Sequence, residues 1–161
     1  MKLSTKSRYG TRLLLDLAVH DNKNFVQLKE IARRQGISLK YLEQIIIPLK
    51  KARLVESSRG ATGGYRLAKP PERISVGEVV ALLEGGKYLS RCESHPESCE
   101  RSESCSVRNL WKEATEALYE KLNGVSLADL ALKEKVSRKK SCPSQSARRR
   151  GREKPRWRRS K

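Results

Sequence analysis

The sequence predicts a mostly α protein: a winged helix-turn-helix DNA-binding domain with a two-stranded wing and a long C-terminal dimerisation helix. Three observations predict it. Two short helical stripes are separated only by "QGIS", Gln35–Ser38, which is the layout of a helix-turn-helix. A glycine-rich hairpin follows at once, and beyond it lies a long stretch with a wide apolar stripe.

Each element has its own signal. "STKSRYGTRLLLDLAVH" puts Tyr9, Leu13, Leu14, Leu17 and Ala18 on one helix face after a Ser4/Thr5 cap,. "FVQLKEIARRQG" predicts a short helix with Leu28, Ile31 and Ala32 inward and Gly36 as C-cap,. Ser38 is a good N-cap for the third helix, whose buried stripe is Leu42, Ile45, Ile46 and Leu49,. Pro48 kinks this helix late without ending it, because the apolar period continues to Leu54,. Leu54–Ser57 and Tyr65–Ala68 read as two strands around a Gly60–Gly64 turn,. Pro70-Pro71 breaks the chain. Ser75 and Glu78 have the spacing of a capping box for a helix ending at Gly85-Gly86,. Ser106 is expected to cap the long helix, with Leu110, Trp111, Ala114, Leu118 and Leu122 as its apolar face and Gly124 as its end. "SLADLAL" predicts a last short turn of helix capped by Ser126. The expected organisation is a DNA-binding unit over 1–86, a cysteine-rich loop over 87–105, dimerisation and short terminal helices over 106–135, and a disordered basic tail over 136–161.

Charge is concentrated at one end. Of a formal net charge of +18, the last 24 residues carry twelve Lys/Arg against one Glu. That segment lacks apolar periodicity and reads as disordered; it is either a non-specific phosphate-binding arm or simply solvated. The remaining chain is still basic, with 24 Lys/Arg against 17 Asp/Glu, and so points to a polyanion. No apolar run approaches the ~18 residues of a membrane span, and the N-terminus lacks the pattern of a signal peptide. The expected compartment is the cytoplasm, where thiols stay reduced. With two histidines and no nucleophile–base arrangement, an enzyme is not expected.

The candidate DNA contacts follow from helix geometry. Ser38, Lys40, Tyr41, Glu43 and Gln44 lie on the first turns of the third helix, away from the Leu42/Ile45/Ile46 stripe. Gln can pair with adenine and Glu can accept from the cytosine amino group, whereas Lys40 and Lys50 suit phosphates. Glu43 reads equally as a solvated residue in an i,i+4 pair. Arg59 and Gly60 stand at the hairpin tip, where an arginine can enter a narrow minor groove. The glycines of "GATGGY" serve the turn. They are no phosphate loop, since no GK[ST] follows.

Cys92, Cys99 and Cys105 are spaced C-x6-C-x5-C. A structural zinc site would show C-x2–4-C pairs and a fourth ligand. Three thiols on one polar loop can instead hold an iron–sulfur cluster or act as a redox switch. Cys142, in the tail, reads as an incidental thiol.

"STKSRYGTRLLLDLA", "ISLKYLEQ", "RGATGGYRLA" and "ISVGEVVALLEG" together resemble the Rrf-type winged-helix regulators typified by IscR, NsrR and CymR, over about residues 1–131. The resemblance implies a homodimeric repressor that grips a palindromic operator in double-stranded DNA through the third helix and inserts Arg59 into the minor groove. In IscR-like members a glutamate at the place of Glu43 helps to choose between two classes of site. IscR-like and NsrR-like members bind an iron–sulfur cluster through three cysteines in this loop, whereas CymR-like members lack the triplet. Cys92, Cys99 and Cys105 therefore imply the cluster-binding branch, with [2Fe–2S] the first expectation and [4Fe–4S] the second. Control of iron–sulfur assembly genes follows, with assembly or carrier proteins as further partners. Two family ligands are replaced, by Arg108 and Arg8, leaving His95, Glu93, Glu97, Glu100, Glu103 or a small thiol as the fourth ligand. The alternatives are a nitric-oxide or thiol-redox sensor of the same family and, in another class, a non-specific nucleic-acid-coating protein.

Overall fold

The structure is a computed structural model that describes residues 3–20, 24–60 and 62–140. The expected disorder beyond residue 140, and Cys142, lie outside the described residues.

Helix α1 spans Thr5–Val19, and the Ser4 hydroxyl accepts from the Ser7 N–H. Helix α2, Leu28–Gln35, ends on Gly36 in the left-handed region at φ 63°, where a Cβ would be strained. Helix α3, Leu39–Lys51, carries Pro48 inside it without stopping. Strands β1 (Val55–Ser58) and β2 (Gly64–Leu67) pair antiparallel, with Val55 opposite Leu67 and Ser58 opposite Gly64. The hairpin is thus one residue tighter at its base than expected. The reason lies in the end of α3: Arg53 turns into the left-handed region at φ 55°, and the Leu54 N–H returns to Leu49 O at 3.0 Å. The Leu54 N–H is thus spent on closing the helix and only its C=O, accepting from the Ala68 N–H at 3.0 Å, reaches across the hairpin, so the paired register begins at Val55.

A short 3-10 turn, Pro71–Arg73, leads to α4, Val76–Glu84. Ser75 Oγ accepts from the Glu78 N–H at 3.0 Å, but the Glu78 carboxylate accepts from Lys69 Nζ at 3.2 Å. The expected capping box is therefore only half formed. The cysteine segment is more ordered than a loop, holding helix α5 (Arg91–Ser94) and a 3-10 turn over Pro96–Ser98. Helix α6 spans Ser106–Asn123 with Cys105, not Ser106, at the cap position.

Helix α7 runs from Leu127 to Lys140, far beyond the expected short turn and five residues into the expected tail. Its start is a reciprocal cap: the Asp129 N–H donates to Ser126 Oγ at 3.1 Å, and the Ser126 N–H donates to Asp129 Oδ2 at 2.9 Å. Leu127 and Ala131 then bury into the same core as Leu13, Leu14, Leu42 and Ile45. The backbone ties Val76 N–H to Val125 O and Leu127 N–H to Ile74 O, both at 2.9 Å. Among the described residues no helix is long and apolar enough to cross a membrane.

Candidate nucleic-acid interface and cysteine segment

The buried stripe of α3 consists of Leu42, Ile45, Ile46 and Leu49, and this fixes what faces outward. Lys40, Glu43 and Gln44 are exposed on the opposite side. Ser38 is occupied in capping, with its Oγ accepting from the Tyr41 N–H at 3.2 Å. Tyr41 is half-buried and meets Tyr9 edge-on at 5.9 Å, while Arg8 and Arg12 each lie 5.6 Å from the Tyr9 ring. Ser38 and Tyr41 thus set the helix in place, and Lys40, Glu43 and Gln44 are left exposed on its outer face. Lys50, assigned from sequence to phosphates, donates from Nζ to Ser57 Oγ at 2.6 Å and ties α3 to β1.

The wing is pinned at its base and open at its tip. Val26 and Tyr65 exchange two backbone hydrogen bonds of 2.9 Å, a bridge to the segment before α2 that no sequence signal marks. Gly64 is required there, because a Cβ would drive into the Val26 backbone. Arg66 pairs with Glu56 and stacks on Phe25 at 4.6 Å. At the tip Arg59 is exposed beside Gly60, whose φ is 105°. Exposed Lys51 and Arg53 extend the same basic border.

Cys92 sits on α5, half-buried, with its Sγ 3.2 Å from Ser90 Oγ. Cys99 is exposed just after the 3-10 turn, and Cys105 is half-buried at the head of α6. All three are free thiols. Glu93, one of the alternative ligands, is already committed: its carboxylate accepts from the N–H groups of Leu89 and Ser90 and from the hydroxyls of Ser90 and Thr115, at 2.8–3.1 Å. Burial pushes the Glu93 carboxyl upward, but those donors outweigh it and hold it below its ordinary value,. His95 is exposed, with its Nδ1 2.9 Å from Ser94 Oγ. Glu97, Glu100 and Glu103 are exposed.

Arg108 has an unforeseen role. Its Nε donates to Cys92 O at 3.0 Å and its Nη1 to Ser102 O at 2.8 Å. One guanidinium therefore staples both arms of the cysteine segment to α6. In kind, the donor set fits an iron–sulfur cluster: three unpaired thiols on one segment. In placement the sulfurs are not gathered, for among the described residues no three Cys, His, Asp or Glu side chains come together as a metal site.

Helix α6 buries Thr115 and Tyr119 against the α4 side, where Tyr119 Oη donates to Gly86 O at 3.2 Å. Of the expected apolar face, Ala114, Leu118 and Leu122 are half-buried. Val107, Leu110 and Trp111 stay exposed at 57%, 55% and 43%. The long helix therefore rests on its own domain by one edge and leaves the head of its apolar stripe uncovered.

Comparison with known proteins is consistent across sequence and structure. The family model Rrf2, described as an iron-dependent transcriptional regulator, matches residues 3–133. The protein rrf2 of Nitratidesulfovibrio vulgaris is 47% identical over 142 residues, covering 88% of this chain and 95% of that one. The HTH-type transcriptional regulator IscR of Sodalis glossinidius is 39% identical over 136 residues, 84% of this chain and 82% of its own. Among solved structures, CymR, the global cysteine regulator of B. subtilis, superposes with a TM-score of 0.69 at 37% identity, covering 83% of this chain and 98% of that one. IscR of T. potens gives 0.68 at 36% identity, covering 89% and 93%.

Proposed function

The chain belongs to the Rrf2 family of transcriptional regulators, and from that premise we propose that it is a cytoplasmic, dimeric repressor whose operator binding responds to an iron–sulfur cluster. It is a regulator and not an enzyme. Lys40, Glu43 and Gln44 on α3 meet base edges and phosphates in the major groove of a palindromic operator, with Ser38 and Tyr41 fixing the start of the helix. Arg59, on the turn that Gly60 permits, enters the minor groove. Val107, Leu110 and Trp111 pack against a second copy, because an apolar cluster of this kind on a polar helix calls for a partner to cover it.

Cys92, Cys99 and Cys105 would hold the cluster, [2Fe–2S] in preference to [4Fe–4S]. When bound, the group supplies redox activity and lability that follow iron and oxidant supply. The observation that carries the reading is where the thiols sit: Cys92 on α5 and Cys105 at the head of α6 bracket the link between the DNA-facing unit and the apolar head of α6. Drawing the three sulfurs together resets that link, and with it the spacing of the two α3 helices in a dimer. Genes of iron–sulfur assembly are the proposed targets, and cluster carriers the proposed further partners. The second reading, a nitric-oxide or thiol-redox sensor, is favoured by Arg108 and the committed Glu93, which leave the fourth ligand to His95, an exposed glutamate or a small thiol.

Protein isolated without oxygen is expected to be coloured and to contain iron and sulfide. Any one of Cys92→Ala, Cys99→Ala or Cys105→Ala should bleach it, and Cys142→Ala should not. Colourless protein with only a reversible disulfide would favour the thiol switch. Removing residues 141–161 should flatten the salt dependence of DNA binding while sequence preference survives; loss of all preference would favour the coating protein.

A further inference from the structure

Ile47 is the exception on the outer face of α3. It is 55% exposed, although every other large aliphatic from Leu42 to Leu49 is buried. An exposed isoleucine on a protein surface is ordinary by itself. Its position here is not. At 3.6 residues per turn, Ile47 stands directly after Glu43 and Gln44 on the same face, two turns beyond Lys40 and one before Lys51. It lies opposite the buried stripe, at the middle of the polar side. A β-branched residue also gives nothing to a solvated helix surface that Lys, Glu or Gln would not give better.

We propose that Ile47 is a specificity-determining residue that packs against the C5-methyl group of a thymine in the major groove. The inference rests on α3 being the recognition helix, as proposed above. Duplex DNA is the occupant that suits this face, because Lys40, Lys51 and Arg53 border the isoleucine with positive charge and are exposed. In the major groove the thymine methyl is the only apolar group on a base edge, and aliphatic side chains recognise it by packing alone. Glu43 and Gln44 then read hydrogen-bonding groups, and Ile47, one turn on, reads shape at a neighbouring base pair.

The test begins with an operator selected from random duplexes by the full-length protein. Each thymine is then replaced singly by deoxyuridine, which removes the methyl and keeps every hydrogen-bonding group. One thymine per half-site should prove sensitive, with affinity falling roughly fourfold for each methyl group removed. Ile47→Ala, at an exposed position that leaves the core intact, should bind thymine and deoxyuridine operators alike at that site and keep its dependence on the bases read by Glu43 and Gln44. If no thymine is sensitive in the wild-type protein, or if Ile47→Ala keeps the sensitivity, Ile47 does not read the methyl. If no sequence is preferred over random DNA, the recognition-helix reading itself falls, which is a different result from an operator that is bound but indifferent to the methyl.

Discussion

The DNA-facing unit and the segment from α5 through α6 differ in how completely each satisfies itself. In the first, α1 to α4 and α7 close around fully buried leucines and isoleucines, and even the buried carboxylate of Asp16 has its partners. In the second, two of the three loop cysteines are only half-buried and one is exposed, and Val107, Leu110 and Trp111 face outward. The contrast teaches that the first region is finished within one chain, whereas the second leaves thiols and an apolar helix head uncovered, as the proposed cluster and second copy require. Substitutions should therefore register in different measurements: unfolding for the first, association and thiol chemistry for the second.

The largest effect is expected in the finished half. Asp16 is 1% exposed and accepts from Arg34 Nη2 at 2.6 Å and Gln35 Nε2 at 2.9 Å, tying α1 to the end of α2. Asp16→Ala removes the buried carboxylate from a largely covered guanidinium and leaves it only the exposed Glu30, 3.6 Å away. The cost should be about 3 kcal/mol, the lower end for breaking a buried pair because Arg34 keeps some solvent contact. Urea unfolding should show the midpoint falling with the slope unchanged. A loss below about 1 kcal/mol would mean that the unit is not as tightly closed as its packing indicates.

Leu110→Glu probes the unfinished half. It should raise the dissociation constant of the proposed dimer by roughly thirtyfold, or about 2 kcal/mol, measured by sedimentation at graded concentrations. Unfolding of the separated subunit should move by no more than about 0.5 kcal/mol, as for other surface changes. Arg108→Ala should do less: losing its two hydrogen bonds frees the arms of the cysteine segment by about 1 kcal/mol, read as roughly fivefold faster alkylation of Cys92 at fixed pH. Unchanged alkylation would remove Arg108 as the staple.

The same contrast explains what is legible in the sequence. Helices α1 to α4, their inward faces, the Ser38 and Ser75 caps and the Gly36 and Gly85 ends all have local signals, and the structure carries each. The extent of α7 does not, because apolar periodicity fades after "SLADLAL" and only the Ser126–Asp129 spacing marks its start. Val26 pairing with Tyr65 joins segments far apart in sequence and is invisible to local patterning. Arg53 takes a left-handed backbone that glycine would have advertised. In the cysteine segment the thiols are conspicuous, yet the commitment of Glu93 and Arg108 depends on Thr115 and Ser102 being close in space. Ile47 is of the same residue type as its aliphatic neighbours; helical phase puts it off the stripe, and its exposure confirms that it stays uncovered,.

The smallest predicted effect, on pH, separates the two regions most finely. Glu93 joins α5 to α6 through Thr115, and its donors hold its carboxyl below the usual value of about 4.3,. A carboxyl depressed in the folded state contributes stability that is present above its unfolded value and is lost as pH falls through the folded one. The tie between α5 and α6 should therefore loosen progressively below about pH 4.3, as should the tie between α4 and the start of α1, where Glu84, also depressed, accepts from the Ser4 N–H at 2.9 Å. Asp129 is also depressed, by its hydrogen bonds with Ser126, so a global melt would mix the caps of two helices. The readout must be local: the protection of the Ser90 amide, which donates to Glu93 Oε2 at 3.0 Å, followed by hydrogen exchange from about pH 6 to about pH 3. In the wild-type protein that protection should fall across the window; in Glu93→Gln it should start lower and stay flat, because an amide oxygen accepts from fewer donors and does not titrate. If Glu93→Gln retains the pH dependence, another group controls the segment, and Glu93 is left free to be considered as a ligand after all.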